Sequence, residues 1–136
     1  PSVNVMNLMT KIDTVDEFED PNEPKVVVDR NSDAIYFSRE PIPSRKMGIL
    51  NVPMYKQVCI IPFRRDYLLR FNQLPETDLE HIESIDMNRI IEHGDKIRMV
   101  RIDEKVYSID TEADLKKVEN LMRNDPLVDD YLTVSA

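Results

Sequence analysis

Lys25 to Asp29 (KVVVD), Asn31-Ser32-Asp33, and Ala34 to Ser38 (AIYFS) form the stretch on which the fold turns. The first run is short and β-branched, the second is turn chemistry, and the third reads as a return strand, so the segment is a β-hairpin. Upstream, Val3, Val5, Asn7 and Met9 alternate with Asn4, Met6 and Leu8, a predominantly apolar pattern that suits a largely buried strand. Between the two, Asp13 to Pro24 is acidic, with Pro21 and Pro24 marking a loop. Downstream, Pro41 and Pro43 end the hairpin, and the stretch through Pro53 reads as an irregular arm. Tyr55 to Phe63 (YKQVCIIPF) is a further strand, which Pro62 confines to an end or an edge.

The second half alternates helix and strand. Asp66 is placed to cap a short helix over Tyr67 to Phe71. Thr77-x-x-Glu80 is a capping-box pattern, and the helix it opens is expected to run to about His93, with Gly94 as its stop. Lys96 to Ile102 alternates charged and apolar residues, as a half-buried strand does, and Glu104-Lys105 is expected to turn it into Val106 to Ile109. Asp110-Thr111 opens a last helix that carries Leu115, Val118 and Met122 on one face. The tail beyond Asn124 is acidic. The class is therefore α/β, with one domain over 1–124 and an acidic tail over 125–136.

Composition narrows the partners. The chain has 136 residues, 41% hydrophobic and 32% charged, which is globular rather than disordered. Its net charge of −8 argues against a nucleic-acid backbone. No apolar run is long enough for membrane insertion. The single cysteine, Cys59, cannot pair internally, which fits a reducing cytoplasm, and its apolar strand context suggests core. Only Gly48 and Gly94 are glycines, and neither lies in a loop able to wrap a triphosphate. The missing initiator Met and the immediate strand pattern suggest an N-terminus made by cutting.

Few residues stand out as chemistry. Asp110 ends a strand and begins a helix, the edge that lines the crevice of open α/β sheets, where a carboxylate suits Mg²⁺; as simply, Asp110 or Thr111 caps the helix. Arg39 ends an apolar strand, and Arg45 and Lys46 follow on the arm; converging cations suit an anionic sugar acid or phosphate, and each also reads as ordinary surface charge. Glu80, Glu83 and Asp86 fall on one side of the expected helix, near its positive end. His81 and His93 lack partners for a metal or triad constellation, and His93 beside the helix stop suits a C-terminal cap. No residue is singled out as catalytic.

The run KVVVDRNSDAIYFSREPIPS (Lys25 to Ser44) resembles the characteristic segment of the CMP-KDO synthetases, the 3-deoxy-manno-octulosonate cytidylyltransferases. Three further blocks follow in that family's order: QVCIIPFRRDYLLRF from Gln57, LEHIESIDMNRIIEHGDKI from Leu79, and YSIDTEADLKKVE from Tyr107. The resemblance implies a Rossmann-like nucleotidyltransferase sheet with flanking helices and a hairpin-and-arm used for dimerisation. It implies transfer of CMP from CTP to an eight-carbon 2-keto-3-deoxy sugar acid with Mg²⁺, in the cytoplasm, as a homodimer, within lipopolysaccharide biosynthesis. The family's metal-binding Asp matches Asp110, its sugar-binding Arg matches Arg39, and a second basic position falls at Arg45 or Lys46, Lys46 being taken as the contact. The acidic residue of its later helix matches Asp86.

The departures lie around the implied sugar. Gln57 and Ile61 stand where the family has His and Tyr, Met87 stands for Gln, and Cys59 and Pro62 stand for Gly. The sugar acid is therefore expected to be KDO or a close analogue, such as an amino-substituted one. The family's triphosphate loop and its other metal-binding Asp have no counterpart here, so the chain is expected to correspond to the C-terminal half of such an enzyme, inactive alone. The alternative is a non-catalytic truncated relative that serves as a binding or dimerisation module.

Overall fold

The computed structural model of the chain describes residues 3–48, 53–109 and 111–128. The expected hairpin is present: β2 (Lys25–Val28) pairs antiparallel with β3 (Ala34–Ser38), with a register shift between Val27 and Val28. Its turn is held by Asp29, whose Oδ1 accepts from Asn31 N–H at 2.8 Å and from Asp33 N–H at 2.9 Å. β1 (Met6–Lys11) lies between β4 (Tyr55–Val58), antiparallel to it, and β5 (Arg98–Ile102), parallel to it. The result is a five-stranded mixed sheet of order β3-β2-β4-β1-β5.

One face of this sheet is the core. Val5 and Met9 beside or within β1, Val26, Phe37 and Met99 pack against Tyr67 and Phe71 of α2 (Arg65–Phe71) and against Met87 and Ile90 of α4 (Met87–Glu92). The hairpin tip closes the core from its open side. Ala34 N–H donates to Ile97 C=O at 2.9 Å, and Met99 N–H donates to Ser32 C=O at 2.8 Å. Between these bonds Asp33 is buried, paired with Lys96 Nζ at 3.0 Å and Arg98 Nε at 2.7 Å. Burial pushes its carboxyl up, but the two cations outweigh that and hold it below the usual range.

The outer edge of β3 has no strand neighbour among the described residues, and buried backbone groups must be paired. Asn88 of α4 supplies the pairing. Its Oδ1 accepts from Phe37 N–H at 3.2 Å, and its Nδ2 donates to Phe37 C=O at 3.1 Å. A side-chain amide thus does the work of a sixth strand.

Five expectations are corrected by this geometry. The helix expected from Thr77 to His93 is two helices, α3 (Asp78–Glu83) and α4, because Ser84 adopts the left-handed conformation at φ 52°. The break follows burial: Ile85, Met87 and Ile90 reach the core, whereas Ile82 is 75% exposed. β4 stops at Val58 rather than Phe63, since Ile60 N–H folds back on Val58 C=O at 2.7 Å before pairing with β1 resumes at Val5 and Phe63. Cys59 sits on this bulge and is exposed, not core. The acidic loop contains a short helix, α1 (Val15–Glu19), whose Thr14-x-x-Glu17 signal was legible: Thr14 Oγ1 accepts from Glu17 N–H at 3.2 Å. No strand forms over Val106 to Ile109.

Two compact units result, Pro1–Glu104 with the sheet and Lys105–Ala136 with α5 (Glu112–Met122). Replacing Asn88 with Leu keeps the shape of the side chain and leaves both Phe37 groups unpaired. Urea unfolding of Asn88→Leu is expected to show a loss of about 2–4 kcal/mol, from two stranded buried groups; an unchanged midpoint would mean the β3 edge is satisfied by something else.

Candidate functional site

Of the expected site residues, Arg39, Asp86 and Met87 lie around the junction where β3 ends and α3 turns into α4. α3 closes with Ile85 N–H bonded to Glu80 C=O at 3.2 Å, a Schellman-type bond that leaves the last carbonyls of the helix needing donors. Arg39 supplies them. Its Nε donates to Glu83 C=O at 2.7 Å and its Nη2 to Ser84 C=O at 3.2 Å, while Nη1 donates to Pro21 C=O at 2.8 Å. A guanidinium has five N–H donors, so one remains on each terminal nitrogen. Arg39 is both the rivet of this junction and a cation with two donors in hand.

Glu83 answers from the helix side. Its Oε1 accepts from Tyr36 O–H at 2.6 Å and Ser38 O–H at 2.9 Å, and its Oε2 accepts from Arg39 N–H at 2.8 Å. Burial pushes the carboxyl up, but these three donors outweigh it and hold Glu83 below the usual range. Burial and the same carboxylate push Tyr36 up to about 12. Sequence spacing had placed Glu83 as a helix-dipole residue; its partner group across the edge strand became visible only once the helix broke at Ser84.

Gln57 is the second anchored group. Its backbone N–H donates to Pro24 C=O at 2.8 Å, and Lys25 aligns with Ser38 on one side and Lys56 on the other. Arg39, Pro24, Gln57 and Met9 therefore share one row across the sheet. Two strand spacings put Arg39 and Gln57 about 10 Å apart. Arg101 continues that row on β5, paired with Asp103 at 3.1 Å and set 6.0 Å from the Tyr55 ring centroid. The row lies towards the C-terminal ends of the parallel pair β1 and β5, the edge where open α/β sheets place their ligands.

The other expected residues are more dispersed. Asp86 is exposed at the start of α4, two residues beyond the carbonyl that Arg39 caps, and borders a cavity of about 420 Å³ with Glu80 and His81. Met87 is buried in the core at 1% exposure. Ile61 is half-buried against the same core, and Lys46 is exposed on the arm. Arg45 beside it turns its Nε inward with no acceptor among the described residues. Asp110 lies outside the described residues. Thr111, not Asp110, is the N-cap of α5, in a reciprocal capping box with Asp114. Ile49 to Val52 of the arm also lie outside the described residues. Among the described residues no three His, Cys, Asp or Glu side chains gather as a metal site.

A larger cavity, about 700 Å³, lies at the opposite, N-terminal ends of β1 and β5. Its charges are already matched: Asp33 with Lys96 and Arg98, and Asp95 with Tyr67 O–H at 2.9 Å and Arg70 at 3.1 Å. Size alone therefore does not mark the site.

A family model described as cytidylyltransferase matches residues 1–97. The chain belongs to the cytidylyltransferase family. Its curated relatives include a 3-deoxy-manno-octulosonate cytidylyltransferase of Synechococcus elongatus, 39% identical over 77% of this chain and 43% of the relative. One from Christiangramia forsetii is 38% identical over 88% of this chain and 48% of the relative. A solved structure of CMP:2-keto-3-deoxy-manno-octonic acid synthetase complexed with CTP superposes with a TM-score of 0.81 at 36% identity, over 90% of this chain and 50% of that one. The chain thus spans about half the length of the curated relatives it matches. The Rossmann-like nucleotidyltransferase architecture is that of the solved synthetase.

The junction makes stability pH-dependent. A carboxyl whose folded value is depressed contributes stability above its unfolded value and loses it as pH falls through the folded one. For Glu83 that loss begins below about 4.5, its ordinary value. Glu83→Gln is expected to melt lower than wild type at pH 7 and to lose less on going from pH 5 to pH 3; parallel curves for the two proteins would show that the carboxylate charge is not what holds the junction.

Proposed function

We propose that this chain forms the sugar-acid side of a cytidylyltransferase that makes a CMP-activated 2-keto-3-deoxy sugar acid, CMP-KDO or a close analogue, from CTP. The observation that supports this most is the match to a CTP-complexed synthetase over nine-tenths of the chain. In the reaction the anomeric hydroxyl oxygen of the sugar acid forms a bond to the α-phosphorus of CTP. The bond from that phosphorus to the bridging oxygen breaks, and pyrophosphate leaves. The contribution of these residues is to bind and orient. The two spare donors of Arg39 suit a bidentate grip on the sugar carboxylate, held in place by the same carbonyls that the rest of the guanidinium caps. Lys46 and Arg45 add positive charge from the arm. Gln57, Ile61 and Asp86 border the remainder, with Met87 packed beneath Asp86.

Mg²⁺ would neutralise triphosphate charge and steady the departing pyrophosphate. Asp110 is the proposed ligand from this chain; the described residues offer no cluster of their own, so further ligands would come from phosphates and another segment. The homodimer reading rests on the proline-bounded arm, where Met47 is 87% exposed. No helix among the described residues is long and apolar enough to cross a membrane, and the reaction is placed in the cytoplasm as part of this proposal.

Two outcomes test this. The chain alone, given CTP, Mg²⁺ and KDO, is expected to release no pyrophosphate above background, since it carries no triphosphate loop; steady turnover would overturn the placement of the nucleotide outside it. In a protein joining this chain to such a loop, Asp110→Asn is expected to lower kcat by about 10²-fold or more. The melting temperature should hold, because Thr111 keeps the cap of α5. Lost stability with normal kcat would return Asp110 to a structural role.

A further inference from the structure

Lys25 opens β2, and alternation with the core residue Val26 turns it to the opposite face of the sheet, where it is fully buried. Its Nζ donates to Asp20 C=O at 2.8 Å, the one hydrogen bond it makes among the described residues. Burial pushes its ammonium below the usual range, against the charges of Asp20, Glu23 and Glu40. Lys56, opposite it on β4, is the contrast. Burial pushes Lys56 down as well, but Glu17 at 2.8 Å and Glu23 at 3.0 Å outweigh it. A buried ammonium matched by a single carbonyl costs stability rather than adding to it. Nor does Asp20 C=O depend on it, since Glu23 N–H also donates there at 3.2 Å. What the bond does is fix the peptide between Asp20 and Pro21. The next carbonyl, Pro21 C=O, takes Arg39 Nη1 at 2.8 Å. The other two bonds of Arg39, from Nε and Nη2, lie along one edge of the guanidinium and leave its plane free to tilt about that edge. Pro21 stops the tilt.

We propose that Lys25 is a positioning residue for the sugar acid: it anchors the loop before β2 so that Pro21 C=O sets the plane of Arg39 and aims its two spare donors. This rests on the sugar-acid reading above. Lys25 itself is closed off from the ligand by its own burial. Stability is given up at Lys25 for the aim of Arg39. The signature is a variant that holds or gains stability while losing affinity, the reverse of what a structural lysine would give.

The test is Lys25→Met, which is similar in length and removes the ammonium. Its melting temperature is expected at or above that of wild type, because no carboxylate is stranded: Glu23 keeps Lys56, and Asp20 Oδ1 keeps Asn22 N–H. Binding of KDO to this chain without CTP, followed by NMR, is expected to weaken about 10-fold or more. In the free protein the two Nη1 protons of Arg39 are expected as separate resonances in wild type, where Pro21 holds them, and merged by rotation in Lys25→Met. No KDO binding by wild type would overturn the sugar-acid reading and this inference with it. Wild-type binding with Lys25→Met equally tight overturns the inference alone, and so does a Lys25→Met protein that melts well below wild type. Weaker binding with the Arg39 resonances unchanged places the effect in the charge of Lys25 and overturns it too. Nη1 protons already merged in wild type do the same, a readout that needs no variant to fold.

Discussion

The free edge of β3 is the constraint that organises this molecule. A strand end with open N–H and C=O groups invites a further strand, and here side chains answer instead. Asn88 pairs both groups of Phe37, and Glu83 gathers the hydroxyls and amide that follow. Both residues must face the same edge from consecutive helices, which is possible only if α3 and α4 meet at an angle. The left-handed Ser84 between them is the cost of that geometry, about 1–2 kcal/mol for a residue with a side chain. Arg39 then finds the carbonyls exposed by the break. The implied ligand-binding arginine is thus oriented by the same bonds that close the sheet.

This coupling changes how substitutions at the junction read. Arg39 has three acceptors in three segments: the loop before β2, the end of α3 and the turn after it. Lysine would keep the charge and lose the fork, so a fall in activity on that change would mix lost binding with a loosened junction. The Glu83 carboxylate sits one step back, bonded to the backbone N–H of Arg39 and to no guanidinium nitrogen, and substituting it separates the two effects more cleanly.

Much of the sheet was legible because its signals are local. The β-branched run at Lys25, the turn at Asn31 and the alternation around Arg98 each carry their own period. The break at Ser84 was not, since Thr77-x-x-Glu80 and the apolar spacing beyond it satisfy a single helix equally well; only the burial of Ile85 and Met87 against a distant sheet decides otherwise. Arg39 and Asp110 were singled out through resemblance, and spacing alone left both as surface charge or cap. The bond from Gln57 Nε2 to Asn7 Oδ1, at 2.7 Å, left a fainter trace. A lone Asn inside an apolar strand, and a strand carrying Pro62 shortly after Gln57, are what a polar staple across a bulge looks like in one dimension.

The tip of the hairpin carries a different kind of consequence. Asp33 meets Arg98 across 65 residues of chain, and Ala34 meets Ile97 at a comparable remove. Contacts so far apart in sequence demand that a long loop be closed before they return anything, and such topologies fold slowly. Until Lys96 and Arg98 arrive, Asp33 is a charge that must stay in water, and the hairpin cannot bend down over the apolar face. The core of this protein is therefore sealed last, by β5, the final strand of the sheet in chain order, and a nascent chain must hold Val26 and Phe37 exposed until nearly all of the sheet has been made.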